Sequence, residues 1–79
     1  MNNLSPKPIT GDVLLTFPEA IAELIKGNMI TRTSWNDETE YGVLADGYLT
    51  IHTKGSFHRW LVNDGDLTST DWVVIKSKN

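Results

Sequence analysis

Residues 16–27, TFPEAIAELIKG, spell out a helix with a written start, one apolar stripe and a written stop. Thr16 and Glu19 stand at the T-x-x-E spacing of a capping box, whose hydroxyl and carboxylate satisfy backbone N–H groups that a first turn leaves unpartnered. Pro18 is harmless there, because the N–H it lacks would have no intrahelical acceptor. Phe17, Ala20, Ile21, Leu24 and Ile25 follow the i, i+3, i+4, i+7, i+8 spacing of a single face, and Glu19, Glu23 and Lys26 take the wet side. Gly27 closes the run, since glycine enters the left-handed region without a steric penalty. A helix of about ten residues is roughly 15 Å long and does not persist alone in water, so its stripe has to lie on other structure.

That structure reads as a sheet. A first strand follows directly as Met29-Ile30-Thr31-Arg32, and Trp35 and Asn36 fall just past its end, where side chains often face a ligand or a neighbouring subunit. Upstream, residues 9–15 fit either a strand, from the apolar Val13, Leu14 and Leu15, or a staple in which Leu15 packs near Ala20 at the helix entrance. After the polar turn Asn36-Asp37-Glu38-Thr39, Asp46-Gly47 joins two strand-like runs at 40–45 and 48–53. That dipeptide is a hairpin signal, because a type I′ turn needs positive φ at both central positions. A two-residue loop places Ala45 opposite Tyr48, so Gly42, Leu44, Leu49 and Ile51 share the face expected to seat the helix. Tyr41 across from His52, Val43 from Thr50 and Ala45 from Tyr48 form the other face, which reads as a subunit interface or the wall of a binding site.

The remainder continues with a turn at Lys54-Gly55-Ser56, a strand over 57–62 and a loop at Asn63-Asp64-Gly65. A tight helical turn over 66–70 and a last strand over 71–75 complete it. The expected fold is α+β: one short amphipathic helix packed on an antiparallel sheet of four or five strands. It occupies a single domain over residues 13–76, between a flexible N-terminal extension (1–12) and a C-terminal tail (77–79).

A chain of 79 residues supports one core, and with no cysteine it has neither disulfides nor thiolate metal sites to reinforce it. His52 and His58 are too few for a convincing metal cage, which leaves self-association as the expected reinforcement. A net charge of −3 and a pI near 5.1 argue against coating long nucleic acid, although Arg32, Lys54 and Arg59 can serve a small anion. No apolar run approaches the roughly 20 residues that cross a bilayer, and MNNLSPKPITG lacks the apolar core of a signal peptide. The expectation is a soluble, intracellular protein without a membrane partner.

The order of signals is more specific than any single one. Phe17-x-Glu19-Ala20-Ile21-x-x-Leu24 runs into Lys26-Gly27, then to Arg32-x-x-Trp35-Asn36. Trp60 and Asp66-Leu67-x-Ser69-x-Asp71-Trp72 follow. Over residues 16–75 the chain resembles the phage family of Thoeris anti-defence sponges of the second type, formerly a domain of unknown function. The resemblance implies a non-enzymatic protein that captures a cyclic nucleotide immune signal. The ligand class is glycocyclic ADP-ribose, with cyclic oligonucleotides in some members. It also implies a homotetramer, a dimer of dimers, with ligand pockets between protomers and action in the host cytoplasm. Three features depart from relatives: only Asp37 to Thr39 lies between the first Trp motif and the hairpin, Val62-Asn63 replaces a frequent Pro-Ser, and residues 1–15 extend the start.

Such a signal presents flat bases, ribose hydroxyls and a pyrophosphate. Stacking on an aromatic side chain contributes roughly 1–3 kcal/mol per base. Trp35 is the expected platform, the alternative being an indole that caps the core, and Asn36 beside it is a hydrogen-bonding group or only a turn former. Trp60 stacks a second base or packs on the helix. Arg32 neutralises phosphate or pairs with Glu40 or Asp71. Asp66 and Asp71 accept from ribose hydroxyls, or else cap the helical turn and fix the last strand. Trp72 reads as core, and Tyr41 with His52 as a subunit contact or pocket wall. No nucleophile elbow, Gly-rich phosphate loop or distinct acid–base pair is present, so no catalytic residue, cofactor or metal is expected. The competing reading is a small protein-interaction module that docks on a host or phage protein.

Overall fold

The structure is a computed structural model that describes residues 13–75. The expectations for residues 1–12 and 77–79 fall outside the described residues. Helix α1 (Phe17–Ile25) leads into strand β1 (Met29–Arg32) and a 3-10 turn (Thr33–Trp35). Then come β2 (Tyr41–Ala45), β3 (Tyr48–Thr53), β4 (Ser56–Arg59), the short helix α2 (Asp64–Thr68) and β5 (Trp72–Ile75). All pairings are antiparallel, in the order β4-β3-β2-β1-β5. The fold is therefore α+β, with five strands in the sheet.

Helix α1 begins as its residues dictate. The Glu19 N–H donates to Thr16 Oγ1 at 3.4 Å and the Glu19 carboxylate accepts from the Thr16 N–H at 2.8 Å. Gly27, with φ +102°, turns the chain out of the helix. Phe17, Ala20 and Leu24 are buried and Ile21 is half-buried, but Ile25, expected in the stripe, is exposed at its margin. The Asp46-Gly47 turn has positive φ at both residues, and the hairpin register places Ala45 opposite Tyr48 and Tyr41 opposite His52, as the turn chemistry requires.

Other expectations are corrected. Residues 13–15 form no strand. Leu15 alone bridges Trp72, donating at 2.8 Å and accepting at 3.2 Å, because the capping box takes Thr16 and leaves no length for a ladder. The strand expected over 57–62 is β4 and ends at Arg59, before Trp60. The helical turn expected over 66–70 starts at Asp64, with Asn63 as its N-cap. Nor does α1 cover the whole inner face of the hairpin. It lies across β1, β5 and part of β2, and Leu44, near the hairpin tip, is exposed. Trp60 fills that space instead: its ring carbons Cζ3 and Cε3 sit where a Cβ on Gly42 would point. Glycine in a strand interior here marks a close approach.

The core is an aromatic cluster centred on Trp72, which is fully buried. Its ring centroid lies 5.4 Å from Phe17, 5.7 Å from Trp60 and 5.4 Å from Trp35. Leu24 and Ile30 complete the sealed part. The opposite face of the sheet carries Tyr41, Val43, Tyr48, His52, Phe57 and Arg59, and no helix among the described residues lies over it.

Candidate functional site

The end of β1 collects most of the residues singled out above. Arg32 is paired in register with Trp72, and its guanidinium carbon stands 5.7 Å from the centroid of that ring. The guanidinium Nε donates to Asp71 Oδ1 at 2.9 Å, and Nη1 comes to 4.0 Å from Asp66 Oδ1. Of the two partners weighed for Arg32, the structure supplies Asp71. Glu40 instead accepts from the Thr53 hydroxyl at 2.8 Å.

The 3-10 turn that follows is held by the same carboxylate. Asp71 Oδ2 accepts from the Ser34 N–H at 2.9 Å and from Thr33 Oγ1 at 3.2 Å, and the Asp71 carbonyl accepts from the Thr33 N–H at 3.0 Å. Partial burial pushes the Asp71 carboxyl upward. The hydrogen bonds from Arg32 and Ser34, together with the Arg32 charge, outweigh that and hold it below its ordinary value. Trp35 leaves this turn half-buried, its ring edge-to-face with Trp72 at an interplanar angle of 83°. Asn36 adopts the left-handed conformation, φ 54° and ψ 36°, which asparagine tolerates well, and its side chain is exposed.

Asp66 and Trp60 sit behind this group. The Asn63 side chain accepts from the Asp66 N–H at 2.8 Å, and Asp66 Oδ2 accepts from the Asn63 N–H at 3.3 Å, a reciprocal cap of α2. The same Oδ2 accepts from Trp60 Nε1 at 3.3 Å, while the Trp72 Nε1 donates to the Asp66 carbonyl at 3.3 Å. Both indoles of the core are thus satisfied by one residue. Trp60 is buried against Phe17 and Trp72.

Tyr41 lies apart. It is one register step from the Ile30–Gly42 pair and so occupies the face opposite Arg32 and Trp72. There it stacks on His52 at 4.9 Å and 18°, and Phe57 closes to 4.7 Å from the His52 ring. His52 Nδ1 is 2.6 Å from the Thr39 carbonyl, an oxygen that only accepts, so the proton is on Nδ1. Arg59 stands 4.5 Å over the ring of Tyr48 on the same face.

Two groups in this arrangement were not singled out from the sequence. Thr33 and Ser34 fasten the Trp35 turn, and no spacing rule links them to Asp71 across 38 and 37 residues. Asn63 was read as loop, although Asn63-x-x-Asp66 has the form of a capping box and gave the signal. No group of three or more His, Cys, Asp or Glu among the described residues could hold a metal ion. No described helix is long and apolar enough to cross a membrane.

The model of the Thoeris anti-defense 2-like domain matches residues 15–75, all but two of the described residues. The chain belongs to that family. No curated protein matches closely enough to add a second relationship. Membership in the Thoeris anti-defense 2-like family gives the protein a role in countering Thoeris defence. The Arg32-x-x-Trp35-Asn36 and Asp66–Trp72 segments, both within the matched range, are distant in sequence and adjacent in the fold.

Proposed function

We propose that the protein is a phage sponge that binds a cyclic nucleotide immune signal of the glycocyclic ADP-ribose type and sequesters it without cleaving it. One observation carries this reading: a half-buried indole, Trp35, and a guanidinium, Arg32, both lie against the Trp72 ring at the end of one strand, at 5.4 Å and 5.7 Å, with exposed Asn36 next in the chain. The indole offers a stacking surface for a base, the terminal N–H groups of Arg32 suit a phosphate, and the Asn36 amide suits a ribose hydroxyl. Family membership supports the anti-defence setting.

Tyr41 enters this reading only from a second copy, since it lies across the sheet from Arg32 in its own chain. That geometry supports pockets at the seams of a homotetramer, with the aromatic outer face as the contact between copies. Trp60, Asp66 and Asp71 act from behind: the first two hold the core and α2 in place, and the third holds the turn. The protein works in the host cytoplasm by mass action, at concentrations above that of the signal. Exposed Phe57 and Tyr48 on the outer face favour a second reading, a module that docks on a host or phage protein.

The test is a thermal melt with glycocyclic ADP-ribose, followed by recovery of the nucleotide. Binding at a hundred times Kd stabilises the folded state by about 2.7 kcal/mol. A raised melting temperature with intact nucleotide returned, and its loss in Trp35→Ala, supports the sponge. Hydrolysed nucleotide makes the protein an enzyme, and no shift together with a co-purifying protein favours the docking module.

A further inference from the structure

We infer that Asp71 is a positioning residue for the ligand site proposed above: it fixes the Trp35 turn and the Arg32 guanidinium from within the protein and does not itself meet the ligand. The inference rests on the sponge reading and specifies how its site is built. Both carboxylate oxygens of Asp71 are occupied, Oδ1 by Arg32 Nε and Oδ2 by the Ser34 N–H and the Thr33 hydroxyl. Three of the about four acceptor sites of the carboxylate are taken by these donors, so a ribose hydroxyl has at most one site, on Oδ1. A two-point contact would have to displace a donor, which at Ser34 would leave a backbone N–H without its acceptor. A phosphate beside Asp71 would meet a like charge, whereas one approaching Arg32 meets the charge that Asp71 has oriented.

The clamp is anchored where the fold is firmest. Asp71 immediately precedes Trp72, which has no exposed surface, and the Thr33 N–H bonds the Asp71 carbonyl at 3.0 Å. Trp35 and Arg32 both rest against the Trp72 ring, at 5.4 Å and 5.7 Å. One carboxylate therefore sets the relative placement of the stacking group and the cation. A ligand that needs both at once is sensitive to loss of that carboxylate even without touching it.

Two substitutions separate positioning from contact. Asp71→Asn turns an amide toward one of the donors. Thr33→Val leaves the carboxylate and its charge in place, freer to reach a ligand, but removes one fastening of the turn. We measure glycocyclic ADP-ribose affinity by calorimetry, assembled mass by light scattering, and the indole N–H resonances of the ligand-free protein. Positioning predicts that Thr33→Val weakens binding about two- to tenfold, the usual effect of one hydrogen bond. It also predicts a larger loss in Asp71→Asn, unchanged mass in both, and a displaced Trp35 indole resonance before ligand is added. Weak binding in Asp71→Asn, with wild-type affinity in Thr33→Val and an unmoved Trp35 resonance, overturns the inference in favour of direct contact. Wild-type affinity in Asp71→Asn overturns it outright. Failure of the unsubstituted protein to bind removes the sponge reading and this role together, and so is distinguished from failure of the role alone.

Discussion

The two faces of the sheet are built from the same strands, yet they solve opposite problems. On the helix side, Ile30, Trp72, Trp60 and Gly42 are buried by other parts of the chain, and ring sits against ring. On the far side, Tyr41, His52 and Phe57 are also packed ring to ring, but Phe57 and Tyr48 remain exposed. The inner face seals its aromatic centre within the chain, whereas the outer face is buried at Thr31 and Val73 on β1 and β5 and left exposed at Tyr48 and Phe57 on β3 and β4.

The comparison can be broken first at Trp72. Trp72→Ala removes the ring that Phe17, Trp60 and Trp35 all touch, and a buried Trp-to-Ala change costs about 3–5 kcal/mol. Against a total of roughly 5–15 kcal/mol for a domain, this leaves little or no folded protein, as a urea melt would record. A cooperative melt near wild type would show that the inner face is not organised around this ring.

A smaller effect is expected at Gly42, where an added methyl group collides with Trp60. Because that ring is wedged between Phe17 and Trp72, Gly42→Ala should destabilise by about 1–3 kcal/mol through overpacking. Each kcal/mol corresponds to roughly 4–8 °C in melting temperature at this size. A variant that melts with the wild type would mean Trp60 is free to move aside.

The smallest change in fold stability belongs to the outer face. Phe57→Ser should destabilise the isolated fold by only about 0.2–1 kcal/mol, the contribution of one exposed cross-strand pair with His52. It should nonetheless lower the assembled mass seen by light scattering if copies meet there. Unchanged mass would assign that face to some other partner or to none.

Much of this arrangement was legible in the sequence because it is local. The capping box at Thr16, the stop at Gly27 and the hairpin at Asp46-Gly47 each follow from residues a few positions apart. The register that puts Tyr41 on His52 came with the turn. What could not be read is long-range. Nothing near Gly42 says that Trp60 will lie on it, and nothing near Thr33 says that Asp71 will fasten it. The candidate site was half legible for the same reason. Arg32, Trp35 and Asn36 are neighbours on one short stretch, but the partner of Arg32 had two candidates, and only the pairing of β1 with β5 chose between them. Tyr41 was placed correctly within its hairpin, yet its separation from Arg32 depends on which face each strand turns toward the helix.

The placement of Trp72 in β5, when α1 is the first element described, also bears on how the protein emerges from a ribosome. The helix is synthesised before the ring it lies on, so Phe17 lacks its Trp72 contact until β1 to β4 and α2 have been made. The aromatic cluster can close only once β5 has been made, because Trp72 is the ring that Phe17, Trp35 and Trp60 share.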